Sequence, residues 1–462
     1  MRIALQIPLT LGEIREMTGG AYDGDPARRI THIVTDSREA EKDDLFLALR
    51  GENSDGADFV ADLNGRGIVS LSERATPGAM LVPDAEKAVV QLASRYAARL
   101  PELKHTVAVT GSVGKTTTKE MLSRLLNGRR IHKTPGNFNN ALGVPLTVFG
   151  APADTEVLLL EFGMNHAGEI RALAEAMMPD IGIITGIGSA HIGNLGSKQA
   201  IADAKEELLY AVPPSALYVP DSDIFLQKTD GRKKASLSDK RADTALIPLA
   251  ESEKETQLLF YRRGTRIGTF TVPFSGRHLL TCLALALAVA ARLGEPDDGL
   301  IERASSLPLS LLRSQTNDLG DLSLTEDYYN ASPESVEAAL DALAWYDRGR
   351  RCVLLGDMRE LGSYTEEEHR KIGGSLVKHG VEECYLIGSY APFYARGAKD
   401  AGMPTPHIHV NTDPTAPETT VRQILDNRRP ADRILCKASR AVHLENVVSL
   451  LREELLKRSD MQ

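Results

Sequence analysis

Three observations predict an α/β chain whose centre is a parallel-sheet domain, flanked by a small N-terminal α/β domain and a doubly wound C-terminal one. The first is a glycine loop, TGSVGKTTT at 110–118, set between an apolar strand-like run at 106–109 and a helical segment that starts near Lys115. The second is the alternation of apolar runs with helical segments over 106–185 and again over 322–436, the pattern of crossover-connected parallel strands. The third is length. A chain of 462 residues exceeds one ordinary core, so three domains are expected, at 1–100, 101–308 and 309–462.

The elements follow in order. Residues 30–34, 45–49 and 68–70 are short strand-like runs among glycine turns, and 85–100 is one clear helix. Pro101 and the charged 102–104 segment make a linker. The central domain then reads as strand 106–109, the helix after Lys115, strand 156–161, helix 167–178 and strand 181–185. Residues 228–242 are highly charged and read as a solvated loop. An apolar helix at 279–293 leads to a boundary near Pro308, after which strand 322–325, helix 333–343 and strands 352–355, 384–387 and 433–436 form the second doubly wound set. That set lacks a G-x-G-x-x-G fingerprint, so a substrate rather than a second dinucleotide is expected there.

Bulk composition narrows the function. With 42% hydrophobic and 25% charged residues the chain is a soluble globular protein, and its net charge of −9 argues against nucleic-acid binding. The longest apolar stretch is too short to cross a bilayer, and the N-terminal run is broken by Gln6 and Pro8, unlike a secretory signal; a cytoplasmic location without membrane insertion is expected. Cys282, Cys352, Cys384 and Cys436 are widely spaced, which suggests neither a disulfide framework nor a zinc knuckle.

The glycine loop carries the chemistry. Its backbone N–H groups, from Gly111, Ser112, Val113 and Gly114 to Thr116 and Thr117, close around phosphate oxygens; Lys115 reaches the outer phosphates and the Thr116 hydroxyl holds magnesium, so ATP or a relative is the expected ligand. Val109 stands where the common phosphate loop has its first glycine, which makes this the shorter T-G-x-x-G-K-T form. Glu161 ends a strand where a doubly wound sheet keeps its ligands, as a second magnesium contact or as a solvated strand-end acid. His191 lies in the glycine-rich loop GSAHIGNLG, 188–196, at the same end of the sheet. Lys205 has Ile201, Ala202, Leu208 and Leu209 as its one-turn neighbours, so its stem lies in an apolar stripe. Two readings of it are open. The stem covers apolar surface while the amine reaches water, or the amine is buried, and burial favours the neutral form that captures carbon dioxide as a carbamate, an anionic magnesium ligand. Asn137, Asn139 and Asn140, in TPGNFNNALGVPLT at 134–147, either contact phosphate or substrate or build Asx-turns.

These motifs, together with VTDSR at 34–38, DDLFLALRGENSDG at 43–56, EFGMNHAGEI at 161–170, AIADAKEEL at 200–208, YNASPESVEAAL at 329–340, LLGDMRELG at 354–362 and KASRAVHLENVV at 437–448, resemble the Mur ligases over nearly the whole chain. The resemblance implies an N-terminal domain that grips a UDP-sugar, a central ATPase domain and a Rossmann-like C-terminal domain that closes over ATP and the incoming amine. It implies a monomeric, ADP-forming ligase of peptidoglycan precursor synthesis that joins D-alanyl-D-alanine to UDP-N-acetylmuramoyl-tripeptide through an acyl phosphate. By motif, Lys115 would hold ATP phosphates, Thr116 and Glu161 one magnesium ion, and His191 with carbamylated Lys205 a second. Ser37 and Arg38 fall on the UDP-sugar contact, Asp327 and Asn330 near the ribose, and Lys437, Ser439 and Arg440 near the substrate.

Several positions depart from the family pattern. Leu279 and Cys282 stand where asparagines are usual, the Gly-Arg before the third domain is replaced around Leu312 and Arg313, Glu326-Asp327-Tyr328 replaces Asp-Asp-Ser, and Ala438 replaces a glycine. A Mur-type ligase for another carboxylate and amine, or a nucleotide-binding scaffold without turnover, are the competing readings; a phosphate-loop kinase or GTPase leaves the setting of Lys205 unexplained.

Overall fold

Fully apolar runs fold as buried parallel strands because crossover helices cover both faces of such a sheet, and the computed structural model shows this architecture repeatedly. It describes residues 1–51, 54–226, 231–252, 254–308, 315–328, 330–344 and 349–459. The Leu312–Arg313 departure and Tyr329 lie outside them. Internal contacts divide the chain into two units: 1–110 with 126–184 and 204–217, and 111–125 with 185–203 and 218–462.

The first unit opens with a five-stranded sheet in the order Arg2–Thr10, Arg29–Val34, Asp44–Leu47, Val69–Ser72, Met80–Leu81, the first pair antiparallel and the rest parallel. Helix Ala85–Ala97 starts at Asp84, whose side chain accepts from the Lys87 N–H, and buries Val89, Leu92, Ala93 and Tyr96. The strands Ile181–Ile184, His105–Thr110, Val157–Glu161 and Ile131–Lys133 pair in that order, all parallel. Their register sets Val109 beside Glu161 and Thr110 beside Ile184, so the C-terminal ends share one edge. Part of the asparagine segment folds as helix Gly143–Phe149, whose seven residues are all buried; Pro145 is tolerated because it stands in the first turn.

In the second unit the segment expected to be a solvated loop contains the strand Lys233–Ser236, parallel to both Leu217–Pro220 and Thr244–Glu251. Ala235 and Ser236 are buried while Lys234 stays in solvent, so neighbouring backbone, not composition, decides this stretch; residues 227–230 lie outside the described set. Thr244–Glu251, Thr256–Arg262 and Thr265–Val272 form an antiparallel meander. Helix Arg277–Arg292 is buried from Leu280 almost throughout, packed against helix Lys115–Leu125 and strand Thr244–Glu251.

A six-stranded sheet completes the unit in the order Gln315–Leu319, Leu322–Glu326, Asp432–Lys437, Arg351–Gly356, Glu383–Ile387, Ile408–Asn411, parallel after the first pair. The doubly wound expectation holds, and the strand order switches around Asp432–Lys437, which brings the ends of Glu326, Lys437 and Gly356 together. Arg350 locks its base: the guanidinium donates to Asp432 at 2.7 and 2.9 Å and to Glu383 at 2.7 Å. All four cysteines are free and buried, and among the described residues no helix is long and apolar enough to cross a membrane.

Candidate active site

Two glycines of the phosphate loop have a backbone that L side chains rarely adopt, φ +146° at Gly111 and +88° at Gly114. Neither has room for a side chain: a Cβ would meet Thr185 Oγ1 at 1.9 Å from Gly111, and Cys282 Sγ at 2.8 Å and His278 Cε1 at 2.9 Å from Gly114. The loop is braced from the segment after the next strand. Ser112 N–H donates to the Gly186 carbonyl at 2.9 Å, Gly188 N–H donates to Ser112 Oγ at 2.9 Å, and Thr185 Oγ1 donates to the Val113 carbonyl at 2.5 Å. Helix Lys115–Leu125 begins at once. The Lys115 amine folds back onto the Gly111 carbonyl at 2.8 Å. Loop N–H groups, helix N-terminus and amine thus come from one short segment, the geometry that holds a nucleotide's phosphates.

Glu161 is 1% exposed. Its N–H donates to Thr134 Oγ1 at 2.9 Å, and its carboxylate accepts from Asn139 Nδ2 at 3.0 Å. The asparagines therefore divide. Asn139 is tied to Glu161, Asn140 accepts from the Gly143 N–H at 2.8 Å and anchors the following helix, and Asn137 is exposed. Lys205 is 2% exposed, so the reading in which its amine reaches water is overturned. Thr116 and Glu161 are each hard oxygen donors of the kind magnesium takes when phosphates complete its shell. Among the described residues no three His, Cys, Asp or Glu side chains converge to hold a metal by themselves.

His191 sits at φ +66° with its Nδ1 2.5 Å from Glu360 Oε2. Contact with the His191 ring, against the opposing effect of burial, holds Glu360 below its ordinary range. Near by, Glu334 accepts from Ser189 Oγ at 2.9 Å and from Lys198 Nζ at 3.0 Å. Burial opposes ionisation of Glu334, but the Ser189 backbone N–H and the charge and hydrogen bond of Lys198 draw its pKa down. Neither acid was expected from the sequence; Glu360 lies inside a quoted motif, but nothing in that motif marks a partner.

At the switch of the six-stranded sheet Lys437, 2% exposed, donates to Asp327 at 2.7 Å and to the Asn330 carbonyl at 3.1 Å. Ser439 Oγ accepts from Arg359 N–H at 2.9 Å. Four expected residues are thus gathered: Asp327, Asn330, Lys437 and Ser439. Arg440 instead points to solvent near Glu445 at 3.6 Å. Ser37 and Arg38 stand on a short turn of the N-terminal sheet, where Arg38 grips Asp36 at 2.6 and 2.9 Å. Two departures find structural partners. Gly356 lacks the Cβ that would press on Ala438, and Glu326 binds both Tyr328 and Arg452. Cys282, 1% exposed, lies under the phosphate loop with Sγ 3.8 Å from the Gly114 carbonyl and from His278. A cavity of about 570 Å³ opens beside Val113, Arg277, His278, Glu334 and Lys371.

A braced glycine loop that follows a buried parallel strand in the chain, with a doubly wound sheet with a polar switch point further on, defines a phosphate-loop nucleotide-binding enzyme. Residues 29–127 match the Mur ligase family, catalytic domain, 109–290 the Mur ligase middle domain, and 313–440 the Mur ligase, glutamate ligase domain. The UDP-N-acetylmuramoyl-tripeptide--D-alanyl-D-alanine ligase of Bacillus subtilis (strain 168) is 34% identical, over 97% of this chain and 100% of its own length. The ligase of the same name from Treponema pallidum (strain Nichols) is 30% identical over 96% and 99%. A crystal structure of MurF from Acinetobacter baumannii superposes with a TM-score of 0.88 at 28% identity, covering 98% of this chain and all of that one. MurF ligase from Thermotoga maritima in complex with ADP gives 0.80 at 28% identity, covering 92% and 98%. The chain belongs to the Mur ligase family, and it is an ATP-dependent, ADP-forming ligase.

Proposed function

We propose that this chain joins D-alanyl-D-alanine to UDP-N-acetylmuramoyl-tripeptide in the cytoplasm, as a monomer with domains at 1–100, 101–308 and 309–462. The observation that carries the reading is the end-to-end match, at 34% identity, to a ligase of that name. The braced phosphate loop and the buried Lys205 support it.

The tripeptide's terminal carboxylate attacks the γ-phosphate of ATP, forming an acyl phosphate and releasing ADP. The dipeptide amine then attacks the acyl carbon, loses its proton and expels inorganic phosphate, so no side-chain nucleophile is needed. Lys115 and the loop from Gly111 to Thr117 hold the triphosphate and spread its charge. Thr116 and Glu161 would hold one magnesium ion, and His191 with carbamylated Lys205 a second. Magnesium supplies Lewis-acid neutralisation of the charge that a carboxylate meets at a triphosphate. Asn139 holds the Glu161 carboxylate in place. Ser37 and Arg38 would take the UDP end, Asp327 and Asn330 the ribose, and Lys437, Ser439 and Arg440 the peptide end, while Asn137 and Asn140 frame the substrate loop. Closure over the acyl phosphate excludes the water that would hydrolyse it.

The test is phosphate release with Mg-ATP, UDP-N-acetylmuramoyl-tripeptide and D-alanyl-D-alanine, omitting each in turn, with product mass by spectrometry. Release that requires all three and yields the pentapeptide is expected. Silence while ADP binds would overturn the substrate assignment.

A further inference from the structure

The segment that braces the phosphate loop is itself held from behind. Ser112 N–H donates to the Gly186 carbonyl at 2.9 Å, and Gly188 N–H donates to Ser112 Oγ at 2.9 Å, so both glycines face the loop. The N–H between them turns the other way: Ile187 N–H donates to Asp223 Oδ2 at 2.6 Å. That N–H and the Gly186 carbonyl belong to one trans peptide unit, whose plane points them in opposite directions. A carboxylate at one end therefore sets where the other end aims, and its charge polarises the unit, which strengthens the carbonyl as an acceptor for Ser112. Asp223 stands on a turn that it closes itself. Its Oδ1 accepts from Phe225 N–H at 3.0 Å, and its carbonyl accepts from Leu226 N–H at 3.2 Å. The turn is tied down in two further places: Asp221 N–H donates to the Ala235 carbonyl at 2.9 Å, and the buried Arg232 donates to the Leu226 carbonyl at 2.6 Å. The acid thus reaches Ile187 from a fixed base.

We propose that Asp223 is a positioning residue for the phosphate loop: through the Gly186–Ile187 peptide it fixes the carbonyl that anchors Ser112 N–H, and so holds the loop in the shape that receives a nucleotide's phosphates. A carboxylate aimed at the phosphates would repel them. Here its charge is met instead by the N–H groups of Ile187 and Phe225, behind the peptide that faces the loop. The inference deepens the ligase reading at its nucleotide site and rests on the loop at 110–118 holding the phosphates.

The experiment uses the full chain and its variants Asp223→Ser and Asp223→Asn. A serine hydroxyl still caps the Phe225 N–H but is too short to reach Ile187; asparagine keeps the shape of the acid with one acceptor oxygen in place of two. Selective nitrogen-15 labelling of serine and isoleucine reports the Ser112 and Ile187 amides, assigned with Ser112→Ala and Ile187→Val. Calorimetry reports ADP binding, and phosphate release gives KM for each substrate. The expected result in Asp223→Ser is upfield movement of both amide protons, ADP affinity lower by about 5- to 30-fold, and a raised KM for ATP with those of the other two substrates unchanged. A role confined to stability would instead reduce the folded fraction, and with it binding stoichiometry and kcat, and leave Kd and KM where they were. When Lys115→Ala weakens ADP binding, parent-like affinity in a folded Asp223→Ser overturns the inference, and so does a Ser112 amide that does not move; should that variant not fold, Asp223→Asn decides by the same two readings. When the amide moves but Lys115→Ala binds ADP as the parent does, the brace stands and the phosphate assignment of the loop is what fails.

Discussion

Gly114→Ala should weaken nucleotide binding through two separable effects. At φ +88° an L side chain costs about 1–2 kcal/mol of backbone strain. The new methyl would also lie 2.8 Å from Cys282 Sγ and 2.9 Å from His278 Cε1, an overpacking that adds about 1–3 kcal/mol. The loop can yield in the free protein but must hold its shape around phosphates, so part of this total falls on affinity. A net loss of about 2–3 kcal/mol, roughly 30- to 150-fold in ADP affinity, is expected by calorimetry. The double variant Gly114→Ala/Cys282→Ala removes the sulfur and leaves the strain. It should recover about 1 kcal/mol relative to the sum of the two single changes. If Gly114→Ala binds ADP like the parent, the left-handed loop geometry is refuted. If the double variant shows no recovery, the thiol is not the contact that limits the space.

Lys205→Ala should abolish turnover and be partly rescued by small carboxylic acids that replace the missing anion; full activity in a phosphate-release assay would remove the carbamate from the mechanism. Arg350→Ala leaves Asp432 and Glu383 buried without their cation and should destabilise by about 3–5 kcal/mol, read from denaturant unfolding. Glu383 carries a pH dependence. Burial raises its pKa, but hydrogen bonds from His409 and His407 outweigh this and depress it below 4.5. A depressed carboxylate contributes stability above its unfolded value that is lost as pH falls through the folded one. The acid side of a stability profile should therefore steepen below about pH 4.3, and Glu383→Gln should flatten it.

What was legible in the sequence follows from where the information sits. The phosphate loop is contiguous, and its strand, glycines and helix were readable because each residue's role depends on its immediate neighbours. The central and C-terminal parallel strands were readable because both their faces are buried, which leaves uninterrupted apolar runs. Helix Leu11–Thr18 was not, being a two-turn element built on a Thr10 and Glu13 capping box ahead of Gly19. Strand Lys233–Ser236 was hidden by its two lysines, although Ala235 and Ser236, one on each face, are buried. Lys205 marks an intermediate case: periodicity placed its stem on the apolar stripe, but periodicity gives direction and not depth, and only packing decides between a snorkelling amine and one 2% exposed.

The contacts on the histidine loop belong to a third kind. Ser189 meets Glu334 across 145 positions, and neither residue type nor local pattern announces the pairing. Such a contact is decided by the crossover order of the six-stranded sheet, which carries helix Pro333–Ala344 and the Asp357–Gly362 loop to the His191 segment. The residues of the phosphate loop are therefore local and legible, whereas the partners that meet the histidine loop are distributed and emerge only from topology. Substitutions at Glu334 or Glu360 should accordingly change how the site is assembled before they change what it can bind.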